Sequence, residues 1–135
     1  MRVVLDTNVL VSAIFYSGLP SKILSAWLED RFDLVVSEEI LGEYDRTARR
    51  FGQKFPNVDL ALVLDRIVLH GLLVVPARLP DDACTDPDDI KFLECAVAAG
   101  AVCVVSGDRA LLRASGYRGV EVVTARRFLE QQMKR

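Results

Sequence analysis

The stretch Val3-Val4-Leu5-Asp6-Thr7-Asn8 is a short apolar run that ends on a carboxylate and turns at once towards a helical pattern. Consecutive apolar residues without polar alternation suit a strand buried on both faces of a parallel sheet. Runs of the same kind recur at Leu34-Val35-Val36, Leu72 to Val75, Val102 to Val105 and Val120 to Val123. Between them, apolar residues fall at helical spacing. Asn8 to Phe15 is short and apolar, and Ser21 to Glu29 carries Ile23, Leu24, Trp27 and Leu28 on one side. Glu38 to Phe51 aligns Ile40, Leu41, Tyr44, Ala48 and Phe51, and Val58 to Leu69 aligns Leu60, Val63, Leu64, Ile67 and Val68. Pro87 to Ala99, Arg109 to Ala114 and Ala125 to Lys134 complete the set. Strand and helix in turn predict an α/β sandwich with a mainly parallel central sheet.

A chain of 135 residues is expected to form one domain over residues 1–135. Hydrophobic residues make up 51% of it, which is enough for a packed core. Pro76 to Pro87 is the longest loop-like stretch, and it reads as a connection because the alternating pattern resumes directly after it. No run of about 18 apolar residues is present, so no membrane span is expected. The opening Met1-Arg2-Val3-Val4-Leu5-Asp6 is too short and too soon acidic for a signal peptide, which makes the cytoplasm the expected location.

Cys84, Cys95 and Cys103 form no CxxC pair, and the single histidine, His70, has no partner nearby. A structural zinc site and Cys–His or Ser–His catalysis are thereby disfavoured. The cysteines read as reduced, buried thiols, and His70, before Gly71, reads as a helix C-terminal cap residue. Formal net charge is −2, so bulk positive charge does not hold this chain to nucleic acid. Any RNA contact must come from local basic patches and bound cations.

Sites in parallel α/β sheets form outside the carboxyl ends of the strands. Asp6 follows the first apolar run, Ser37 to Glu43 the second, and Ser106-Gly107-Asp108 the fourth. The helix before that fourth run opens with Asp86-Pro87-Asp88-Asp89. Each acid also has a plain structural explanation. Asp86 suits an N-cap, Pro87 a first helical position, and Asp88, Asp89 and Asp108 the positive end of a helix dipole. Asp6 suits an N-cap, and Glu43 a solvated helix face. Direction separates some of them. Asp89 aligns with Phe92, Leu93 and Ala96 on the apolar stripe, whereas Asp88 lines up with Lys91 and Cys95. Asp108 aligns with Leu111 and Leu112. A carboxylate on a buried stripe is unfavourable unless it is paired or bound to a cation.

Carboxylates brought together raise one another's pKa unless a cation is present. Oxygen ligands of this type suit Mg²⁺ or Mn²⁺, and such ions support phosphodiester cleavage without a histidine base. No GxxxxGK[ST] phosphate loop is present, which disfavours P-loop nucleotide hydrolysis. A first strand ending in Asp also resembles phosphotransfer enzymes with an aspartyl nucleophile, but their second Asp, two residues on, is here Asn8. That leaves an acid-cluster phosphatase as a weaker alternative.

The motifs Val4-Leu5-Asp6-Thr7-Asn8-Val9-Leu10, the Ser37 to Tyr44 helix with Glu43, Asp86-Pro87-Asp88-Asp89-Ile90-Lys91-Phe92-Leu93-Glu94 and Val104-Val105-Ser106-Gly107-Asp108 together resemble a PIN domain over nearly the whole chain. Within that family they are similar to the branch of toxin components of toxin–antitoxin pairs. The resemblance implies a three-layer α/β/α sandwich and Mg²⁺- or Mn²⁺-dependent cleavage of RNA. By position, Asp6, Glu43, Asp89 and Asp108 would form the acidic quartet, with Asp6, Asp89 and Asp108 as metal ligands. Asn8 and Ser106 would be supporting polar neighbours, and Asp88 would replace Asp89 if the helix began one residue away. Many relatives carry another Asp where this chain has Ile90. The family also implies a homodimer or higher homo-oligomer and, for toxins, an antitoxin protein. Arg46, Arg49, Arg50 and Lys54 after Glu43, and Arg109 with Arg113, are the candidate RNA contacts. A PIN-like module that binds RNA or protein without cutting is the non-enzymatic alternative.

Overall fold

The computed structural model describes residues 1–133. Its strands are β1 (Arg2–Leu5), β2 (Asp33–Val36), β3 (Leu72–Leu73), β4 (Cys103–Val105) and β5 (Glu121–Val123), paired in the order β3-β2-β1-β4-β5. Every pairing is parallel, where the sequence predicted a mainly parallel sheet. The helices are α1 (Thr7–Phe15), α2 (Leu19–Leu28), α3 (Glu38–Gly52), α4 (Leu60–His70), α5 (Ile90–Ala99), α6 (Arg109–Arg113) and α7 (Ala125–Gln131).

The strand order explains the layers. The chain steps one way from β1 to β3, then crosses back to β4 and β5. Right-handed crossovers in opposite directions put their helices on opposite faces. The result is an α/β/α sandwich with β1 at its centre. The middle strands are buried apart from the exposed first residues of β1 and β2, Arg2 and Asp33: Val3, Val4, Leu5, Leu34, Val104 and Val105 are all inaccessible to solvent. Each fully buried Leu or Val of this kind stabilises the fold by about 1.5–3 kcal/mol relative to exposure. A smaller satellite core packs Val11, Phe15, Ala48 and Leu64, with the Phe15 and Phe55 rings stacked at 5.1 Å.

Several boundaries differ from the sequence reading for local reasons. The run Leu72 to Val75 becomes a two-residue edge strand. The Val74 N–H still donates to Val36 O at 2.9 Å, but Val75 is 88% exposed as the chain leaves towards Pro76. Apolar character there did not mean burial on both faces. Helix α2 starts at Leu19, with Pro20 in its first turn, and α4 starts at Leu60 because the Asp59 carboxylate caps Leu62 N–H at 3.2 Å. The segment from Pro87 opens as a 3₁₀ turn, Pro87–Asp89, before α5. The last helix was expected to reach Lys134, which lies outside the described residues.

His70 is the last residue of α4, and the cap is Gly71. The Gly71 N–H donates to Ile67 O at 2.8 Å, and a Cβ at Gly71 would meet that oxygen at 2.5 Å. Glycine is required there by close approach. Gly100 ends α5 for a different reason, with φ 61° in the left-handed region. All three cysteines are buried and free, and burial pushes the Cys95 and Cys103 thiols up to about 12. Among the described residues, no single helix is long and apolar enough to cross a membrane.

Candidate active site

In an open parallel sheet, the crevice lies where the strand order reverses. Here that is the carboxyl end of β1 and β4, and both strands run directly into an aspartate-capped helix. Asp6 caps α1, with Oδ1 accepting the Val9 N–H at 2.8 Å. Asp108 caps α6, with Oδ1 accepting Ala110 N–H at 2.8 Å and Leu111 N–H at 3.2 Å. Capping and convergence are therefore one event. Each cap turns its carboxylate across the sheet edge towards the other.

Ser106 joins the two. Its hydroxyl donates to Asp6 Oδ2 and accepts the Asp108 N–H at 2.9 Å, and the residue is wholly buried. Tyr44, from α3, donates its hydroxyl to Leu5 O at 2.5 Å and so fixes the end of β1. Asp6 is only 4% exposed. Burial pushes its carboxyl above the usual range, and the nearby Asp108 and Glu43 charges add to this, while the Ser106 and Val9 hydrogen bonds oppose it.

Glu43 is held differently. The Thr7 hydroxyl donates to Oε2, and Lys91 Nζ donates to Oε1 at 2.6 Å. Burial alone would raise this carboxyl, but the bonds from Lys91 and Thr7 outweigh it and hold Glu43 below the usual value.

A third group sits beside these. Asp86, Asp89 and Asp108 each offer a carboxylate oxygen, and the three atoms lie within 4.8 Å of one another. A 3₁₀ turn has three residues per turn, so residues 86 and 89 eclipse on one side. Asp88 falls elsewhere and is exposed, donating its N–H to Asp86 Oδ1 at 3.0 Å. Burial, then a side-chain hydrogen bond with Asp108, then the Asp108, Asp86 and Asp6 charges, push the Asp89 carboxyl up to about 7. Its Oδ2 is buried and, among the described residues, that atom has no hydrogen-bond partner. A buried oxygen without a donor is destabilising by about 1–3 kcal/mol or more when charged, and a cation would relieve it. An all-oxygen donor set with such an orphaned atom fits a hard divalent cation.

A cavity of about 230 Å³ is lined by Asp6, Thr7, Asn8, Glu43, Thr47, Arg50, Asp89, Phe92 and Asp108. A second opening beside it is lined by Asp6, Asn8, Gly107, Asp108, Arg109 and Ala110. All four acids singled out in the sequence thus meet at one cavity, with exposed Asn8 common to both openings and Ser106 buried beneath. The arginines separate. Arg50 lines the acidic cavity and Arg109 its neighbour. Arg49 turns to Asp45 at 3.0 Å on the surface, and Arg46 reaches back beside Gly42. Arg113, in the last turn of α6, lines neither opening.

Sequence reasoning treated Asp86 only as a cap, and it did not single out Thr7, Thr47 or Lys91 for the site. A signal existed for Asp86, since the i, i+3 spacing of Asp86 and Asp89 already places two acids on one side of a tight turn. No sequence signal tied Lys91 to Glu43, because they meet across 48 residues.

The PIN domain family model matches residues 2–110, a span that includes every acid described above. The chain belongs to the PIN domain family. Domains of this family are generally metal-dependent nucleases. No curated protein matches the chain.

Proposed function

We propose that this protein is a metal-dependent endoribonuclease that uses Mg²⁺ or Mn²⁺, acts in the cytoplasm, and serves as the toxin of a toxin–antitoxin pair. One observation carries the enzymatic part: the partnerless, buried Asp89 Oδ2, set among the converging carboxylates of Asp6, Asp86 and Asp108. A module that only bound RNA would gain nothing from crowding acids where an anion must approach.

Asp6, Asp89 and Asp108 would hold the cation, with Asp86 adding an oxygen from the rim. When bound, such a cation offsets charge on the phosphate and makes water more acidic. Ser106 holds Asp6 and the start of α6 in one register, so the two cap carboxylates keep their separation. Asn8 stands at the mouth, where an amide can orient water or a phosphate oxygen. Arg50 and Arg109 come from different helices beside the two openings, and they offer phosphate contacts that neutral neighbours cannot. An antitoxin and a second copy of the chain are the protein partners in this reading, which rests on the similarity to toxin components.

The test is cleavage of mixed RNAs by the purified chain with Mg²⁺, Mn²⁺ or chelator. Metal-dependent cutting, lost in Asp6→Asn with the fold retained, is expected. Equal cutting by both proteins would overturn the assignment. Binding without cutting would favour a non-cleaving module, and hydrolysis of small phosphate esters alone would favour a phosphatase. Arrest of cell growth on expression, relieved by the product of a neighbouring gene, tests the toxin role.

A further inference from the structure

Glu43 and Asp89 border one cavity, yet their oxygens are in opposite conditions. Asp89 Oδ2 has no donor, whereas both Glu43 oxygens have one. The donors come from different layers of the chain. Thr7 is the first residue of α1, and Lys91 lies in the first turn of α5. The Lys91 and Glu43 side chains are 12% and 24% exposed, so the ion pair is largely withdrawn from water. An ammonium in such a place is sustained only by close partners. It has two here, because Nζ also lies 5.7 Å from the centroid of the Phe92 ring.

Distance and charge together disfavour a metal ion on this pair. A hard divalent ion sits about 2.0–2.6 Å from a carboxylate oxygen. Lys91 Nζ already stands 2.6 Å from Glu43 Oε1, and the Thr7 hydroxyl covers Oε2. An ion on Glu43 would stand beside this ammonium in a poorly hydrated space, where two cations so close repel strongly. Charge leads the same way. Two divalent ions in one pocket ordinarily share several carboxylates, and here one carboxylate is already neutralised by a resident cation.

We infer that the Lys91 ammonium takes the place of a second metal ion at Glu43, so that the pocket loads a single divalent cation on the Asp89–Asp108 side. Lys91 is then a positioning residue. It keeps Glu43 ionised, aimed into the cavity and outside the metal's coordination shell. The inference rests on the metal-dependent reading above and specifies how many ions that reading involves.

Titration of the full chain with Mn²⁺ alone, followed by calorimetry and by the electron paramagnetic resonance signal of free Mn²⁺, tests it without any RNA. Wild type is expected to bind one ion per chain, and Lys91→Met to bind a second, weaker one at the released Glu43. Lys91→Arg keeps the positive charge and should remain at one. Glu43→Gln is expected to leave the ion number at one and to change its affinity by less than about tenfold, as loss of a nearby charge but not of a ligand, which holds as a test even if Lys91→Met fails to fold. Two ions in wild type, or at least about a tenfold loss of affinity in Glu43→Gln, would overturn the inference and leave the nuclease reading standing. No Mn²⁺ binding at all, with no metal-dependent cutting, would overturn both.

Discussion

The Ser106 hydroxyl accepts the Asp108 N–H at 2.9 Å and donates its own proton to Asp6, tying the ends of β1 and β4 through one buried side chain. Ser106→Ala would leave the Asp108 N–H and one Asp6 oxygen without that partner. Each such buried group is destabilising by about 1–3 kcal/mol. Urea unfolding is expected to show a loss of about 2–6 kcal/mol for the two together. RNA cleavage is expected to fall by more than the folded fraction does, since the two cap carboxylates lose their common tether. Wild-type stability and activity in Ser106→Ala would contradict this account.

Asp88 and Asp89 are adjacent and chemically identical, but only Asp89 faces the cavity. Asp89→Asn is expected to abolish the rise in melting temperature that Mn²⁺ produces and to lower cleavage by at least about 100-fold. Asp88→Asn is expected to leave both close to wild type. The reverse ranking would mean that the 3₁₀ turn presents a different residue in solution.

The Asp89 carboxyl, pushed from 3.8 up to about 7, makes folding depend on pH with a definite sign. Between those values the folded protein keeps a proton that the unfolded chain has released. Stability contributed by this group therefore falls as pH rises through that window and levels off above about 7. The difference in melting temperature between wild type and Asp89→Asn isolates the effect from other titrating groups. Without metal, that difference should shift against wild type from about pH 5 to about pH 8. With Mn²⁺ the trend should reverse, because protons and the cation compete for the same oxygens. A flat difference in both series would show that Asp89 titrates normally.

Arg50 and Arg109 flank the openings, whereas Arg49 is committed to Asp45 on the surface. Arg50→Ala and Arg109→Ala are each expected to weaken RNA binding and to reduce the slope of log affinity against log salt by about 1. Arg49→Ala is expected to change neither. Binding measured at several salt concentrations by fluorescence anisotropy, with the metal replaced by Ca²⁺ to suppress cutting, checks all three.

Gly71→Ala probes the fold apart from the site. Its Cβ would lie 2.5 Å from Ile67 O and 3.3 Å from Val36 Cγ2, so backbone must shift. A loss of about 1–3 kcal/mol in urea unfolding is expected. Cleavage should persist at temperatures where the variant is folded, because Gly71 follows α4, away from the acids.

Much of this protein is decided within short stretches of its sequence. Short apolar runs without alternation, set between helical patterns, suit strands buried on both faces, so the parallel sheet and its flanking helices were legible from periodicity. Acids after Leu5 and Ser106 were recognisable because the ends of parallel strands are where polar side chains become accessible. Edge behaviour was not legible. Leu72 to Val75 looks like the central runs, and only its place beside β2 and the exit at Pro76 shorten it to Leu72–Leu73.

Which oxygen is free and which is taken was decided by the tertiary structure alone. Thr7 reaches Glu43 across 36 residues, Lys91 reaches it across 48, and Ser106 reaches Asp6 across 100. Periodicity acts over a few residues and carries no information about such meetings. The same holds for Asp86 and Asp88, whose roles depend on a 3₁₀ rather than an α-helical first turn. Local sequence determined that acids would gather at one edge of the sheet. Packing of α3 and α5 against that edge determined that Glu43 is neutralised by a lysine, while Asp89 is left with an oxygen that nothing among the described residues satisfies.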